Sequence, residues 1–402
     1  MSEGFLARSE QIAGLGLLAE QISIDTMASH RYISDHAGLS SNIPGQILQR
    51  LAPFIAHYQE YTRTRQVHLS TNCGYIGSEL RKAAWLYDDQ EKKNYDALNA
   101  HTELIPVPIP RAGTSETPAV GNVQVYGSAA DYGSPSGIDY PPPNPAVDDT
   151  RETIDEAAGW LGEVDRTIFE LTGWSPLNEA TLPISGNWNE IRRLGEAFDI
   201  AGRAMEAAAE SLENGVLRVD EYWDGRAAQA FSDYSKRQIA AMYWEGPCGR
   251  TIHALAEAIT EQIRNGVRTV VRKLVEMLEA EVDLGSGRSA MKVALKKIPI
   301  VGTAWQIESI IEILWKTMDL TMDLVRKIED VVDRFAQFLD AITDPEGQIN
   351  QSIERHLEPF NDALDRGKVA VDTAKTADIT PVIFTPDERF SVGEGTQPWQ
   401  DA

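Results

Sequence analysis

The side chains that most often carry out catalysis, histidines and carboxylates, are scattered along this chain rather than grouped. No His-Glu-x-x-His motif of the zinc proteases occurs among the 7 histidines. His253 and Glu257 are spaced to share one face of a helix, but such a pair is far more often a surface contact than a metal site. The 61 acidic residues make chance pairs of carboxylates inevitable, so such pairs do not by themselves indicate acid–base chemistry.

Motifs for phosphate, calcium and acyl chemistry are also absent from the sequence. The stretch GSGRSAMK at 285–292 lacks the spacing of a phosphate-binding P-loop. The stretch DPEGQINQSIE at 344–354 lacks the alternating ligands of a calcium loop, and no Gly-x-Ser-x-Gly nucleophile elbow occurs. Because no catalytic constellation is found, we predict a non-enzymatic protein with no cofactor and no metal site.

The two cysteines, Cys73 and Cys248, are too few for a disulfide framework or a cysteine-rich metal site. We expect two ordinary thiols. A single bridge between them is open only if the two regions of the chain pack together.

The formal net charge of −24 argues against nucleic acid and anionic lipid as the main partner. Nucleic-acid-binding proteins normally carry a basic patch or stripe, whereas the basic runs here, VRTVVRKL and ALKKIP, are short and local. We interpret the acidity as a property that keeps a long helical protein in solution.

The sequence contains no recognisable Sec signal peptide. The first residues, MSEGFLARSEQIAGLGLLAEQ, lack a basic region followed by an apolar stretch. The best candidate for a membrane span, IPIVGTAWQIESIIEILW, is interrupted by Glu308 and Glu312. An exported form would therefore leave the cell by another route.

Helical periodicity dominates the chain, and strand signals are weak throughout. Apolar residues spaced three and four apart predict helices over 9–37 and 46–100, joined by the turn GLSSNIPG into an antiparallel hairpin. Similar patterns over 150–172 and 187–217, followed by a helix from about 226 that is interrupted at EGPCG, predict a second hairpin. The fold class that follows is all-α, an elongated bundle of long antiparallel helical hairpins.

The composition divides the chain into five parts. Residues 105–149 are dense in Pro, Gly and Ser and predict an extended linker. From residue 374 onward the sequence predicts a disordered tail. The proposed parts are an N-terminal hairpin (1–104), the linker (105–149), a second hairpin (150–285), amphipathic helices (286–373) and the tail (374–402).

A Trp-x-Gly motif, Trp223-Asp224-Gly225, lies between two helical patterns. Glycine in a helix interior costs roughly 1 kcal/mol relative to alanine, so the motif indicates a turn. Gly225 permits a tight turn where a side chain would clash. We expect Trp223 to pack across the gap between the hairpins, outside the densest apolar stripes, with its indole N–H available to a partner.

A second motif closes the first hairpin, just before the linker. In ELRKAAWLYDDQEKKN, Tyr87 and Glu91 are separated by one helical turn and therefore share a helix face. A tyrosine and an acidic residue at this spacing are common, but this pair is informative because it follows the second helix of a hairpin.

Helix, Trp-x-Gly turn and helix together resemble the WXG100 superfamily, the substrates of actinobacterial type VII (ESX) secretion. Residues 150–283 are similar to the WXG100-like modules of larger ESX-associated proteins. Tyr87 and Glu91 resemble the export signal Tyr-x-x-x-Asp/Glu of that family, with Glu in place of the commoner Asp. Since each hairpin carries one of the two motifs, the arrangement is similar to a fused PE–PPE-like pair of hairpins.

This resemblance implies a secreted or cell-surface protein that folds in the cytoplasm as a four-helix core and leaves without a Sec signal. It also implies a partner, the type VII secretion ATPase, that recognises Trp223, Gly225, Tyr87 and Glu91 as a composite. After export the protein would act by binding or by self-assembly.

Two alternatives stay open. The helices of 289–373 are amphipathic enough for an effector that perturbs a membrane or a partner. A ring- or filament-forming scaffold subunit is the other alternative. The apolar stripe of 302–343 predicts packing onto the second hairpin, with part of the stripe left for self-association.

Overall fold

A computed structural model describes most of the helical sequence. The described residues are 6–40, 46–88, 129–159, 175–182, 186–281, 304–343 and 368–392, with residues 162, 165, 166, 169 and 170. Within these ranges the chain is helical apart from turns, extended segments and an isolated β-bridge between Ala7 and Trp223, which confirms the all-α prediction.

Four long helices form the two predicted hairpins, and a fifth packs across them. In chain order the helices are α1 (Ser9–His36), α2 (Gln46–Asp88), α3 (Thr150–Ala158), α4 (Pro176–Thr181), α5 (Asn189–Asp220), α6 (Arg226–Glu281), α7 (Ala304–Thr343), α8 (Lys368–Ala377) and α9 (Thr380–Ile383). Among them none combines the length and the apolar character needed to cross a membrane.

The predicted interruption of the second hairpin at EGPCG is wrong. Helix α6 runs without a break through Pro247, although proline in a helix interior is costly. The glycines here serve close packing, because a Cβ on Gly249 would meet the backbone carbonyl of Phe198 on α5. Gly202 on α5 faces the Glu245 carbonyl in the same way. Tertiary packing therefore outweighs the low helix propensity of this stretch.

The two hairpins pack side by side, as predicted, and build their cores jointly. One cluster of buried side chains combines Ile12 and Ile76 of the first hairpin with Leu212 and Phe231 of the second. The other lies toward the α1–α2 turn and combines residues of both hairpins with those of α7. Neither hairpin therefore has a complete core by itself.

Residues 129–149 are extended, as the linker prediction requires, but they lie against the helices. The backbone N–H of Ala130 donates to the Glu10 carbonyl at 2.7 Å. Tyr32 donates from its hydroxyl to the Pro141 carbonyl at 2.9 Å, and the Arg218 guanidinium lies 4.0 Å from the centre of the Tyr132 ring. Residues 105–128 lie outside the described part of the chain.

Helix α7 packs on both hairpins, whereas the sequence predicted only the second. Its buried Phe335 and Phe338 belong to the shared core, and it contacts α2 as well as α6. Arg50 of α2 pairs with Asp333 at 2.8 Å and with Glu329 at 3.2 Å. The side chains of 304–321, which include most of the predicted stripe, lie outside the described residues.

The predicted disorder of the tail is wrong for residues 374–392. Helix α9 lies within this segment, and Phe390 and Val392 beyond it are buried. The segment gains order from contacts with α2 and α6, which local composition does not reveal. Residues 393–402 lie outside the described residues.

Candidate functional site

The Trp-x-Gly motif forms the turn at the tip of the second hairpin. Helix α5 ends at Asp220 and α6 begins at Arg226. Gly225 has φ +95°, a left-handed conformation that glycine adopts without steric cost. The predicted turn and the role of its glycine are therefore confirmed.

The residues that precede α1 pair with this turn through their backbone. The Arg8 N–H donates to the Tyr222 carbonyl at 3.0 Å, and the Asp224 N–H donates to the Leu6 carbonyl at 2.9 Å. The Asp224 carboxylate accepts in return from the Leu6 N–H at 2.8 Å. These bonds attach the start of the first hairpin to the tip of the second. Sequence reasoning missed the pairing because it spans too few residues to show strand periodicity.

Trp223 lies inside the core rather than at its edge. Its side chain is only 2% exposed, and its ring centre lies 5.5 Å from that of Phe231. The indole N–H donates to the Tyr87 hydroxyl at 3.1 Å. The expectation that this N–H is available to a partner is therefore wrong, because Tyr87 already accepts it. The expectation that Trp223 lies outside the densest apolar stripes is also wrong, because its side chain is buried in the core.

Tyr87 occupies the last turn of α2, half-buried against the Trp-x-Gly turn. Its ring meets that of Trp223 edge-on, with centres 6.3 Å apart and planes at 77°. Burial raises the pKa of the Tyr87 phenol, the bond from Trp223 lowers it by less, and the nearby Asp224 charge raises it further. The phenol is therefore neutral at physiological pH.

Three of the four predicted site residues come together at this end of the bundle. Trp223 and Gly225 belong to one turn, and Tyr87 meets Trp223 directly. Glu91 lies outside the described residues. Aromatic rings and the Trp223–Tyr87 hydrogen bond dominate this end of the bundle.

The two cysteine thiols are free, buried and surrounded by different side chains. Cys73 lies 3.7 Å from the Met242 sulfur, and Cys248 lies 3.3 Å from the Tyr58 hydroxyl. Burial raises the pKa of Cys73 to about 12 and that of Cys248 still further. The regions that carry them do pack together, but no bridge forms. Both thiols are therefore protonated and unreactive as nucleophiles.

His253 and Glu257 form the predicted surface contact. Their side chains are 3.8 Å apart, and His253 also lies 3.2 Å from the Asp199 carboxylate. In the part of the chain that is described, no group of three or more His, Cys, Asp or Glu side chains is arranged to hold a metal ion.

No match was found for this chain among protein-family models, curated proteins or solved structures. The resemblance to the WXG100 superfamily therefore depends on the two motifs themselves.

Two further aromatic residues extend the site, and sequence reasoning missed both. Phe231 lies on the second turn of α6, beyond the Trp-x-Gly turn, so helical spacing does not predict its contact with Trp223. Phe390 packs on Phe231 with ring centres 5.3 Å apart. Phe390 is a lone aromatic residue among polar and small neighbours and gives no periodic signal. Its position could therefore be found only from the tertiary structure.

Proposed function

We propose that this chain is a non-enzymatic substrate of an actinobacterial type VII (ESX) secretion system. The secretion ATPase would recognise Trp223, Gly225, Tyr87 and Glu91 on the folded protein. One observation carries the proposal: the Trp223 indole donates to the Tyr87 hydroxyl at 3.1 Å although the two residues are 136 positions apart.

The physical value of this contact is that it joins the two motifs only in the folded chain. An unfolded chain presents Trp-x-Gly and Tyr-x-x-x-Glu far apart, so a partner that binds both selects a chain whose hairpins have paired. Because Trp223 is buried, its role in the composite is to hold the Tyr87 edge in place. The surface that the ATPase contacts would then consist of Tyr87, Glu91 and the exposed side of the turn.

Export from an actinobacterial host with and without its ESX ATPase tests the proposal. We expect wild-type protein in the culture filtrate or on the cell surface only when the ATPase is present. Glu91→Ala should be retained in the cell with an unchanged circular dichroism spectrum. Glu152→Ala, an exposed glutamate on α3 at the other end of the bundle, is the matched control and should be exported normally.

Tyr87→Phe separates recognition from packing. The substitution keeps the ring against Trp223 but leaves the buried indole N–H without its acceptor, at a cost to stability of about 1–3 kcal/mol. Reduced export of a folded Tyr87→Phe chain would support recognition of the phenol edge. Export of the wild-type chain without the ATPase, or normal export of both Glu91→Ala and Tyr87→Phe, would contradict the proposal.

The effector and scaffold alternatives both need an apolar surface on the C-terminal helices of 289–373. The side chains that would form it, in 304–321, lie outside the described residues, so both alternatives stay predictions.

A further inference from the structure

The segment 385–392 runs between α2 and α6 without helix or strand, with bends at Thr385 and Glu388, and side chains of both helices bind its main chain. Asn72 donates from its amide to the Pro386 carbonyl at 3.1 Å. Tyr234 donates from its hydroxyl to the Glu388 carbonyl at 3.1 Å, and the Glu79 carboxylate accepts from the Val392 N–H at 3.0 Å. Hydrogen bonds between these side chains and main-chain groups of Pro386, Glu388 and Val392 therefore hold the segment along the groove.

Thr385 and Pro386 at the start of the segment are buried, residues 387–389 are exposed, and only residues 389–392 alternate between solvent and the groove. Glu388, Arg389 and Ser391 are exposed, whereas Phe390 and Val392 are buried. The Phe390 ring lies between Phe231 and Tyr234, with ring centres 5.3 Å from each. Phe390 and Val392 therefore enter the groove from one side of the segment, and Phe390 is the aromatic anchor.

A buried ion pair fixes the first residue of the segment. Arg65 of α2 and Glu245 of α6 pair at 2.6 Å, with side chains only 8% and 4% exposed. Arg65 also donates to the Thr385 hydroxyl at 3.1 Å. Asn72 bonds to Gln238 of α6 at 3.1 Å beside the Pro386 contact. The floor of the groove is thus polar and preorganised where the segment enters, and aromatic where it ends.

The groove is continuous with the Trp223–Tyr87 pair. The Phe231 ring touches Phe390 on one side, at 5.3 Å, and Trp223 on the other, at 5.5 Å. Phe390 therefore closes the flank of the aromatic cluster that holds Trp223 in place.

We propose that the α2–α6 groove is a peptide-docking site, that the chain's own segment 385–392 is its occupant, and that this occupancy closes the flank of the Trp223–Tyr87 pair. The groove takes a non-helical peptide with an aromatic anchor, main-chain acceptors two residues apart and a buried apolar residue two positions after the anchor. The effect on the Trp223–Tyr87 pair rests on the proposed function; the docking itself does not.

Footprinting with hydroxyl radicals on the full chain tests the closure. Phe390→Ala removes the anchor, so oxidation of Phe231 and Tyr234 should rise several-fold. Glu388→Ala is the matched control, because it truncates an exposed side chain and keeps the carbonyl that Tyr234 binds. Unchanged oxidation of Phe231 and Tyr234 in a folded Phe390→Ala chain would overturn the closure.

A labelled synthetic peptide of sequence FTPDERFSV, residues 384–392, tests the docking on full-length chains. Fluorescence anisotropy should show binding to the Phe390→Ala chain about tenfold or more tighter than to wild type or Glu388→Ala, because loss of an aromatic anchor frees the groove. The same peptide with alanine at the Phe390 position should bind none of the chains. Absence of binding to the Phe390→Ala chain, or equal binding to all three, would overturn the proposal.

A surface variant guards against misfolding of Phe390→Ala. The Arg389 guanidinium lies 4.5 Å from the centre of the Tyr75 ring and is exposed. Arg389→Glu removes this cation–π contact without touching the core, so it should raise peptide binding and oxidation in the same direction by a smaller factor. No change in either quantity would count against the docking site. Neither measurement involves export, so the outcome is independent of the secretion experiment.

Discussion

Two glycine-containing stretches of the second hairpin have opposite effects on the backbone. Trp223-Asp224-Gly225 ends one helix and begins another, whereas Glu245–Gly249, with two glycines and a proline, lies inside a continuous helix. The difference comes from what each glycine meets. Gly225 has φ +95° and sits where Asp224 bonds to the start of the first hairpin. Gly249 instead lies against the backbone of α5, and a Cβ at this position would force the two helices apart.

The comparison teaches that a glycine motif has two distinct physical uses. At the turn, glycine supplies a backbone conformation that other residues rarely adopt. Inside α6, glycine supplies the absence of a side chain, which lets two helices approach closely. Gly249→Ala and Gly225→Ala separate these two uses, and Trp223→Ala measures how much the turn itself contributes to the core.

The largest effect is expected for Trp223→Ala. Because the indole is 2% exposed and packs on Phe231 and Tyr87, its truncation should lower the free energy of unfolding by about 3–5 kcal/mol. Urea titration followed by circular dichroism measures the loss. Phe169→Ala, at a side chain that is 54% exposed, is the control and should change stability little. A loss below about 1 kcal/mol for Trp223→Ala would mean that the turn does not contribute to the core.

Gly249→Ala tests close packing inside α6. The added methyl group would meet the backbone carbonyl of Phe198, which cannot move independently, so we expect a loss of about 1–3 kcal/mol despite the better helix propensity of alanine. Gly246→Ala is the matched control, since the three atoms nearest to its methyl group belong to the Glu206 side chain, whose carboxylate can turn aside at the cost of its contact with Arg250. Thermal unfolding of both variants compares them directly. Equal stability of the two variants would contradict the packing argument.

Gly225→Ala tests the conformational use of glycine. An alanine at φ +95° is strained, and we expect a loss of about 1–2 kcal/mol. Gly225→Asn should cost less, because asparagine tolerates left-handed conformations better than alanine does. Chemical denaturation measures both. If alanine were no worse than asparagine, the turn would not depend on its positive φ.

The smallest effect is expected from pH. Burial alone would raise the pKa of the Asp199 carboxyl, but hydrogen bonds from Arg203 and His253 outweigh it and lower the pKa. A lowered pKa stabilises the fold above the unfolded value of about 3.9, and this contribution disappears as the pH falls through the folded pKa. The exposed Arg203 limits the contribution to less than about 1 kcal/mol. Between pH 6 and pH 3 the urea midpoint should fall less in Asp199→Asn than in the wild-type chain. An equal fall in both chains would show that the Asp199 carboxylate does not contribute to the pH dependence of stability.

Much of the fold was predictable because long helices repeat their apolar residues every three to four positions. The ranges of α1 and α5 follow the predicted stripes closely, and Trp223-x-Gly225 was correctly read as a turn. The failures occur where neighbours distant in sequence decide the outcome. The α5 backbone keeps α6 continuous at Gly249, and the groove of α2 and α6 orders the segment that carries Phe390.

The sequence by itself determined the helical class, the two hairpins and the two motifs that suggest export, because periodicity, turn residues and short motifs are local properties of the chain. Only the tertiary structure decided that Trp223 is buried, that its indole is bonded to Tyr87, and that residues 385–392 are docked rather than disordered. Each of these depends on contacts between residues more than 100 positions apart. Their free energy comes from burial and paired hydrogen bonds that exist only once both hairpins have packed together.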